Sequence, residues 1–346
     1  EEELMHRLGH GDNLLKVIIN KAKRYKQRVV FADAENFKML KAAQQVHEEG
    51  IAIPILLGNV KRIKELMKEN SIELPGVTVI DPKSDEWESK RNAYGEVLFA
   101  KRHRKGYNLY EAKKIMRERN YFGCMMVELG EADALITGLT RKYPDTLRPV
   151  LEIIGVNPEV NKLAGMYIML TRKGPICFAD TTINEFPSAE DLVDITLLAA
   201  EQVKNMNMTP RVALLSYSNF GASNLEEARK IKEAVQLLHQ RHPDLVVDGE
   251  VQGSIAFNTE LLHENYPFSH LIQNNPNVLI FPNLSAGNIA YHLMMELGNA
   301  EAVGPILLGL NHSVHVLQLG SSVRQIVNMV AIAAVDAYMK KKKKNG

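Results

Sequence analysis

The chain has 346 residues, of which 45% are apolar and 24% are charged, which is the composition of an ordinary globular protein. This length is enough for two domains that each bury a core of their own. The net charge of +1 excludes a whole-chain field that would favour nucleic acid or an anionic membrane. Any anion binding must therefore depend on local groups.

The two cysteines, Cys124 and Cys177, are far apart and outside any CxxC pattern. They predict neither a disulfide framework nor a zinc site, and a reducing cytoplasm is the expected compartment. No apolar run approaches the length of a membrane span, and the charged start at Glu1-Glu2-Glu3 has no signal-peptide pattern. Because the chain starts without an initiator Met, we expect it to be a segment of a longer protein.

The first half alternates short apolar runs with helical patterns. An amphipathic pattern in residues 1–26 comes first, and strands are then predicted at 28–32, 52–58, 77–81 and 134–138. Between them, helices are predicted at 37–49 and 60–69, with a long helical region at 86–120. This alternation is typical of a parallel sheet with right-handed crossovers.

The second half continues the alternation with different turn signals. Strands are predicted at 164–170, 175–179, 211–216, 245–249, 278–281 and 304–309. The first two are joined by a hairpin turn at 171–174, and Ser188 begins a helix that reaches about Met206. A break at 155–159 predicts a domain boundary.

The last predicted helix covers 323–339, and Ser321-Ser322 is suited to cap its start. Val323, Ile326 and Val330 lie along one apolar face of this helix. We interpret the basic run Lys340–Lys344 as a solvated terminus rather than a nucleic-acid arm, because no aromatic residue or second basic cluster accompanies it.

A basic cluster follows the predicted strand at 134–138, where the carboxyl edge of a parallel sheet binds ligands. Arg141, Lys142 and Arg148 are suited to clamp a phosphate or carboxylate. The alternative is a helix start capped by Asp145 with solvated cations. Residues 101–106 form a second basic cluster. By itself it would be read as a solvated helix end, but together with the first cluster it is a candidate anion site, because a ligand with two negative charges needs more than one cation.

Two further loops follow predicted strands. In 215–223, hydroxyls and backbone N–H groups of Ser216, Ser218 and Gly221 are placed to hold a phosphate or a pantetheine amide, although such loops are often only connections. The loop at 316–322 leads from a strand into a helix, as an anion site does, yet it has no acid, base or cation. It is therefore predicted to bind without reacting.

His312 and His315 have the spacing of a metal pair, but no Asp, Glu or Cys accompanies them at ligand spacing. Packed or hydrogen-bonded histidines are the favoured interpretation, and no metal site is predicted. No GxSxG or HExxH motif occurs either.

Six ordered motifs together closely resemble the phosphate acetyltransferase/butyryltransferase family, whose members transfer acetyl between coenzyme A and phosphate. They lie at 132–138, 144–149, 178–184, 248–252, 277–284 and 286–289. The resemblance implies an α/β fold of two three-layer α/β/α domains with a cleft between them, like that of isocitrate and isopropylmalate dehydrogenases. It implies a first domain at 1–157 plus 304–346, a second at 158–303, and at least a dimer.

Finer details resemble the C-terminal domain of large bacterial NADP-dependent malic enzymes. They lie at 121–127, 138–141, 165–167 and 316–323. In those proteins a malic enzyme portion precedes a transacetylase-like portion. The resemblance thus implies a tethered malic enzyme domain, absent from this chain, that carries the NADP and divalent-metal sites. No cofactor is expected in this segment.

Compared residue by residue with the family, this chain has lost some of the residues that active members use and has retained others. Where active members have a Ser-Arg pair, this chain has Gln318-Leu319, Gln325 replaces an acid, and Glu296 replaces an arginine. Arg148 and Arg102 match arginines that handle phosphate or coenzyme. Loss of one such donor commonly costs about 2 to 4 kcal/mol of transition-state stabilisation, so catalysis is expected to be lost. The predicted ligand-binding residues are Arg102, Thr140, Arg141, Arg148, Ser216, Ser218, Gly221 and Gln318.

Three functions stay open at this point. The first is a regulatory domain that binds acetyl-CoA or a related CoA ester and controls a tethered malic enzyme. The second is an active phosphate acetyltransferase that uses substitute residues. The third is an architectural module with the final apolar helix in an interface. A cytoplasmic location is expected, without a nucleic-acid or membrane partner.

Overall fold

The computed structural model describes residues 2–273 and 275–345. They divide into two compact units. The five-strand unit comprises Lys16–Asn157 together with the residues from Leu310 onward, and the six-strand unit comprises the residues up to Leu15 together with Pro158–Gly309. Each unit is an α/β structure around its own sheet.

The strands of both sheets are short and mostly buried. In chain order they are β1 (Arg28–Phe31), β2 (Ile53–Leu57), β3 (Thr78–Ile80), β4 (Ala134–Thr137), β5 (Ala164–Thr171), β6 (Gly174–Ala179), β7 (Arg211–Leu215), β8 (Val246–Val251), β9 (Val278–Ile280), β10 (Glu301–Leu308) and β11 (Ser313–Val316).

Helices connect and cover these strands. They are α1 (Glu2–Arg24), α2 (Phe37–Glu48), α3 (Val60–Glu69), α4 (Glu88–Arg102), α5 (Leu109–Ile115), α6 (Arg119–Glu128), α7 (Tyr143–Pro149), α8 (Ala189–Asn205), α9 (Glu226–Arg241), α10 (Gly253–Ala256), α11 (Thr259–Asn265), α12 (Leu284–Glu296) and α13 (Val323–Asn345). A π-helical turn at Val150–Ile154 follows α7 directly.

The five-strand unit contains a wholly parallel sheet in the order β11-β4-β1-β2-β3. This confirms the parallel sheet that the alternating strand and helix patterns predict. The last strand in the chain, β11, pairs with β4, with Val314 opposite Leu135. Helix α13 packs on α2 and on the sheet, and its apolar residues Ile326, Val330 and Ala334 are fully buried inside the unit. That face is therefore not available for a subunit interface.

The helical region predicted at 86–120 contains α4 and α5 and the start of α6. Gly106, with φ of +95°, ends the first segment in a left-handed conformation that favours glycine. Asn108 then starts α5 with a capping box, in which its side chain accepts from the Glu111 N–H at 2.8 Å. Glu118 caps α6 in turn. The predicted region is therefore helical, and these local caps divide it into separate helices.

The six-strand unit contains a mixed sheet in the order β10-β5-β6-β9-β7-β8. Strands β5 and β6 form the antiparallel hairpin predicted at 171–174, with Thr171 opposite Gly174. The predicted helix start at Ser188 is also confirmed, because Ser188 and Asp191 form a capping box at 3.1 and 3.0 Å.

Strand β10 pairs antiparallel with β5, with Val303 opposite Ile168 and Leu307 opposite Gly165. This pairing places the whole strand in the six-strand unit, and the chain changes unit between Gly309 and Leu310. The boundary inferred at 303/304 falls inside β10, and the boundary at 157/158 coincides with the change at Asn157. Among the described residues, no helix is both long and apolar enough to cross a membrane.

Candidate functional site

A buried carboxylate organises the carboxyl edge of the five-stranded sheet. Asp33 lies two residues after the end of β1 and is only 1% exposed. Its Oδ2 accepts the backbone N–H groups of Gly138 at 2.7 Å and Leu139 at 3.0 Å, just after β4. Because β1 and β4 are parallel neighbours, their carboxyl ends meet and the loop after β4 wraps around this carboxylate.

The second oxygen of Asp33 joins the loop to helix α6. Asp33 Oδ1 lies 2.8 Å from Arg119 Nη2 and accepts the Thr140 hydroxyl at 2.5 Å. Arg119 also donates to Thr140 Oγ1. Thr140, a predicted ligand-binding residue, is thus part of a charge-balanced network. The Arg119 Nε is buried and has no hydrogen-bond partner among the described residues.

The loops after β4 and β11 touch through their backbones. Gly138 has φ of +122°, and a Cβ at this position would lie 2.3 Å from the Leu317 carbonyl oxygen. In addition, the Leu317 N–H donates to the Thr137 carbonyl at 2.6 Å. Only glycine fits this close approach, so Thr137 at the end of β4 and Gly138 after it fix where the loop after β11 begins.

The loop after β11 has a defined internal structure. Ser321 donates its N–H to the Gln318 carbonyl at 3.0 Å, and its own carbonyl accepts from Lys38 Nζ at 3.2 Å. Ser322 Oγ accepts the Gln325 N–H at 3.2 Å, while Gln325 Oε1 accepts the Ser322 N–H at 2.9 Å. This capping box confirms the predicted cap of α13 and engages Gln325 in the helix start. Leu319, which lies between Gln318 and Ser321, is 61% exposed.

Three cations lie at this carboxyl edge, namely Arg141, which was predicted, and Arg119 and Lys38. Arg141 is exposed and pairs with Glu118 at 2.9 Å, and Glu118 caps α6 beside Arg119. Arg119 pairs with Asp33 and Arg141 with Glu118, while Lys38 donates to the Ser321 carbonyl, so these contacts contain three cations and two carboxylates. That balance favours an anion over a cation at this edge.

Arg148 and Asp145 both lie on α7. Arg148 is exposed in the last turn of this seven-residue helix. Asp145 stands in the first turn, and Lys142 rather than Asp145 occupies the N-cap position, so the alternative of an Asp145 cap was wrong. The reason is that the helix begins two residues earlier, at Tyr143.

Arg102 ends α4 beside a tyrosine and glutamate cluster. Tyr107 and Tyr121 both donate their hydroxyls to Glu152 Oε2, at 2.7 and 2.6 Å. Burial raises the pKa of Tyr107, and the nearby Arg102 cation partly offsets that rise. The Nε of Arg102 is buried without a hydrogen-bond partner among the described residues, so this arginine has a donor to offer.

The carboxyl edge of the six-stranded sheet has a different chemistry. Glu250, 1% exposed at the end of β8, accepts the Gly221 N–H at 2.6 Å and the Ser218 hydroxyl at 3.3 Å through Oε1. Ser218 donates its N–H to Ser216 Oγ at 3.2 Å. These donors, which the sequence suggested for a phosphate or an amide, therefore already serve groups of the protein itself. Ligand binding by this loop stays a prediction.

A second carboxylate in this unit is held almost entirely by backbone groups. Asp180 Oδ1 accepts N–H groups of Gly165, Thr182 and Ile183 at 3.0, 2.7 and 3.1 Å, and Oδ2 accepts the Asn184 N–H at 2.8 Å.

Glu296, the residue that replaces a family arginine, is exposed in the last turn of α12.

Asp33, Arg119 and Lys38 belong to the candidate site but were not predicted from the sequence. A signal was available for Asp33, because an acid directly after a buried strand stands at the sheet edge. Arg119 and Lys38 carried no such signal, since both are ordinary surface-type residues at helix starts.

The two histidines are packed, as predicted. His315 is fully buried, with Nε2 3.4 Å from Ser313 Oγ, and burial lowers its pKa to about 4. His312 Nε2 lies 3.8 Å from Glu128 Oε2. Within the described ranges, no group of three or more His, Cys, Asp and Glu side chains is placed to hold a metal ion.

Known proteins share this sequence pattern and this fold. The family model described as phosphate acetyl/butaryl transferase matches residues 13–334. The chain is 37% identical over 324 residues to the NADP-dependent malic enzyme of Haemophilus influenzae, which covers 93% of this chain and 43% of that protein. It is 36% identical over 312 residues to the phosphate acetyltransferase of Bacillus subtilis, which covers 90% and 94% of the two chains.

Solved structures agree with the sequence comparisons. A phosphotransacetylase from Streptococcus pyogenes superposes with a TM-score of 0.87 at 31% identity, over 95% of this chain and 99% of that one. The phosphotransacetylase EutD from Staphylococcus aureus gives 0.86 at 30% identity, over 94% and 98%. The chain spans less than half of its malic enzyme relative and nearly all of these transacetylases. It belongs to the phosphate acetyl/butaryl transferase family.

Proposed function

We propose that this chain is a regulatory domain that binds acetyl-CoA or a related CoA ester and has lost transacetylase catalysis. In the whole protein it is tethered to a malic enzyme portion that decarboxylates malate oxidatively to pyruvate. The CoA ester acts as an allosteric effector, so it must bind one global state of that protein better than another.

The observation that carries this proposal is the loop after β11. The position that the family resemblance assigns to an acid holds the neutral Gln325, whose amide oxygen is committed to the Ser322 N–H at 2.9 Å. The position assigned to an arginine holds Leu319, which is 61% exposed and offers no donor to a phosphate. The cations that remain, Arg119, Arg141 and Lys38, still favour an anionic ligand at this edge.

The similarity to malic enzymes supports the tether. The relative from Haemophilus influenzae, named NADP-dependent malic enzyme, is 37% identical, and less than half of its length is matched. A family domain joined to another portion is the arrangement that a regulatory role requires. The same arrangement leads us to expect an oligomeric whole protein.

A second candidate is an active phosphate acetyltransferase. The specific observation in its favour is the 36% identity to the Bacillus subtilis phosphate acetyltransferase, which this chain covers over 94% of that protein's length. The two candidates differ in one measurable property, which is turnover.

Turnover is tested by formation of acetyl-CoA from acetyl phosphate and CoA with the purified chain. We expect no rate above the blank, with the Bacillus subtilis enzyme as the positive control. A rate above the blank would replace the regulatory proposal with the enzymatic one. The quadruple variant Gln318→Ser, Leu319→Arg, Gln325→Asp, Glu296→Arg, which rebuilds all four implied active positions, should raise the rate if only these residues are missing.

Effector binding is tested by calorimetry with acetyl-CoA. We expect a heat of binding for the purified chain and a loss of roughly tenfold in affinity for Arg148→Ala, as for removal of one charge-assisted contact. Arg62→Ala, an exposed arginine on α3, is the matched control and should bind normally. No heat at millimolar acetyl-CoA would leave an architectural role, and an unchanged affinity in Arg148→Ala would put the effector elsewhere.

A further inference from the structure

A surface rich in lysine and arginine lies at the amino edge of the five-stranded sheet, at the other end of the strands from the candidate site. It is formed by residues 13–28, at the end of α1 and the start of β1, and by residues 337–345 of α13. The first segment contains six Lys or Arg and the second contains five, while neither contains Asp or Glu. We call these eleven side chains the basic surface.

The two segments of the basic surface are in direct contact, although 314 positions separate Gln27 from Lys341. The rings of Tyr25 and Tyr338 stack with their centroids 3.9 Å apart and their planes 9° from parallel. Lys341 Nζ donates to Gln27 Oε1 at 2.9 Å. The run Lys340–Lys344, interpreted from the sequence as a solvated terminus without a second basic cluster, therefore has such a cluster beside it.

Groups of opposite charge balance only part of this surface. The carboxyl ends of α1 and α13 each carry about half an elementary negative charge. The carboxylates of Glu49, Asp133 and Asp336 form ion pairs with cations of the surface. Together these groups offset about four of the eleven positive charges. The positive charge that remains favours an anion with several negative charges.

A small cavity of about 120 Å³ opens within the basic surface. Its charged lining residues are Arg28, Asp133, Lys340, Lys341 and Lys344. Asp133 already holds Arg28 Nη2 and Lys341 Nζ, each at 2.7 Å, and Lys340 Nζ lies 2.9 Å from Asp336 Oδ2. Among the described lining residues, four cations thus stand against one carboxylate, which suits an anion rather than a cation.

The charges around His312, which also lines the cavity, agree with this balance. Burial lowers the pKa of His312, and the Lys344 ammonium lowers it further. Glu128, 3.8 Å from the ring, acts in the opposite direction, and its charge is in turn paired with Lys101. The size of the cavity suits a phosphoryl group, because its four heavy atoms take up about as much space as four water molecules, roughly 30 Å³ each.

We propose that the basic surface binds a chain of linked phosphate groups, such as inorganic tripolyphosphate or the triphosphate of a nucleotide. The terminal phosphoryl group enters the cavity beside Lys340 and Lys344, and the phosphates behind it face the exposed ammonium of Lys341 and the other cations of the surface. Linked phosphates concentrate several negative charges within a short distance, which a cluster of lysines matches. None of the residues assigned to the CoA ester lines the cavity, so the site is independent of the proposed function.

The first experiment compares phosphate chains of different length by calorimetry in magnesium-free buffer. Affinity should rise at least tenfold from inorganic phosphate to tripolyphosphate, because each added phosphate brings a further negative charge to the surface. It should fall several fold when the salt concentration rises from about 50 to 200 mM, since exposed lysines are screened by salt. No binding of tripolyphosphate at millimolar concentration, or equal affinities for phosphate and tripolyphosphate, would overturn the proposal.

Further ligands in the same experiment identify the source of the phosphates. Tighter binding of ATP than of tripolyphosphate assigns the surface to a nucleotide, and equal or weaker binding of ATP assigns it to an inorganic chain. A thymidine hexanucleotide and a hexaglutamate peptide represent the competing partners. If either of them binds more tightly than both ATP and tripolyphosphate, the proposal is overturned in favour of a nucleic acid or an acidic protein.

The second experiment removes cations that line the cavity. The double variant Lys341→Gln, Lys344→Gln should weaken tripolyphosphate binding at least tenfold. It should fold normally, because both side chains are exposed and the Asp133 carboxylate keeps a second cation. The control is Lys61→Gln, Lys64→Gln, which makes the same charge change at exposed positions of α3 and should bind normally. Equal affinities in the two double variants would show unspecific attraction by charge and would overturn the proposal.

The third experiment separates the basic surface from the candidate site. The imidazole NMR signals of His312, assigned with His312→Gln, should shift when tripolyphosphate is added, and Arg148→Ala should keep the wild-type affinity for tripolyphosphate. The double variant Lys341→Gln, Lys344→Gln should keep its heat of binding with acetyl-CoA, so the two proposals hold or fail separately. Loss of tripolyphosphate binding in Arg148→Ala, or binding without a shift at His312, would put the anion elsewhere and overturn the proposal.

Discussion

The carboxyl edges of the two sheets each contain a buried acid, but the two acids are satisfied differently. Asp33 in the five-strand unit pairs with the guanidinium of Arg119 at 2.8 Å and also accepts two backbone N–H groups. Glu250 in the six-strand unit accepts the Gly221 N–H and the Ser218 hydroxyl, and its Oε2 is buried without a hydrogen-bond partner among the described residues.

This difference bears on which edge attracts a negatively charged ligand. At the first edge the acid is neutralised and further cations stand close by, so the local field favours an anion. At the second edge the donors of the loop already serve a carboxylate. Under the proposed function, the charges of the five-strand unit are therefore the groups expected to hold the anionic part of the ligand.

The largest expected effect comes from neutralising the two acids in turn. Asp33→Asn leaves the partly buried Arg119 without its counter-charge, which should lower the free energy of unfolding by about 3 kcal/mol. Glu250→Gln keeps the acceptor used by Gly221 and should change it by less than about 1 kcal/mol. Urea unfolding, followed by circular dichroism and by the fluorescence of the single tryptophan, Trp87, measures both. Equal losses of unfolding free energy in the two variants would show that the two buried acids do not differ in how strongly they depend on their charge.

Acid should loosen the five-strand unit through the buried His315. Burial lowers the pKa of this imidazole from 6.5 to about 4. Between these pH values the unfolded chain binds a proton that the folded chain excludes. The contribution of the neutral His315 to the free energy of unfolding is therefore fully present above pH 6.5 and is lost as pH falls toward 4. The difference in pKa corresponds to roughly 3 kcal/mol at most. Urea unfolding of the wild type at several pH values, read by Trp87, measures this loss.

The groups around His315 allow a control for this pH dependence. Asp336 and Lys340 on α13 face it. Burial opposes ionisation of Asp336, yet Lys340 helps to hold its pKa below 3.8, so Asp336 takes up its proton only below this window. His315→Asn should reduce the slope and leave the contribution of His312, whose pKa burial also lowers. The exposed His103→Asn should keep the wild-type slope, and an unchanged slope in His315→Asn would assign the loss to other groups.

A smaller effect is expected where the two loops of the first edge meet. Gly138→Ala combines a φ of +122° with a Cβ 2.3 Å from the Leu317 carbonyl oxygen, so it should cost about 1 to 3 kcal/mol. Gly320→Ala is the control in the same loop system, because its Cβ would meet nothing within 4 Å. Thermal unfolding gives the cost, and faster amide exchange at Leu317 would locate it. Equal melting temperatures for the two variants would show that the contact relaxes freely.

Local patterns in the sequence predicted much of the fold. Apolar runs separated by helical spacing identified the parallel strands, the turn at 171–174 identified the hairpin, and Ser188 and Ser322 identified two helix starts. Each of these features depends on residues a few positions apart, whose geometry is set by backbone hydrogen bonds and side-chain caps. In the helical region at 86–120, the same patterns did not give the separate helix start at Asn108, which follows the stop at Gly106.

The sequence by itself determined most of the strands and several of the helices, and its motifs identified the family. Only the tertiary structure decided that β10 joins the six-stranded sheet while β11, a few residues later, joins the other. It also decided that Asp33 meets Arg119, 86 positions away, and Gly138, 105 positions away. The physical reason is that a residue pattern reports its own local environment, whereas the partner of a buried charge depends on which strands lie side by side.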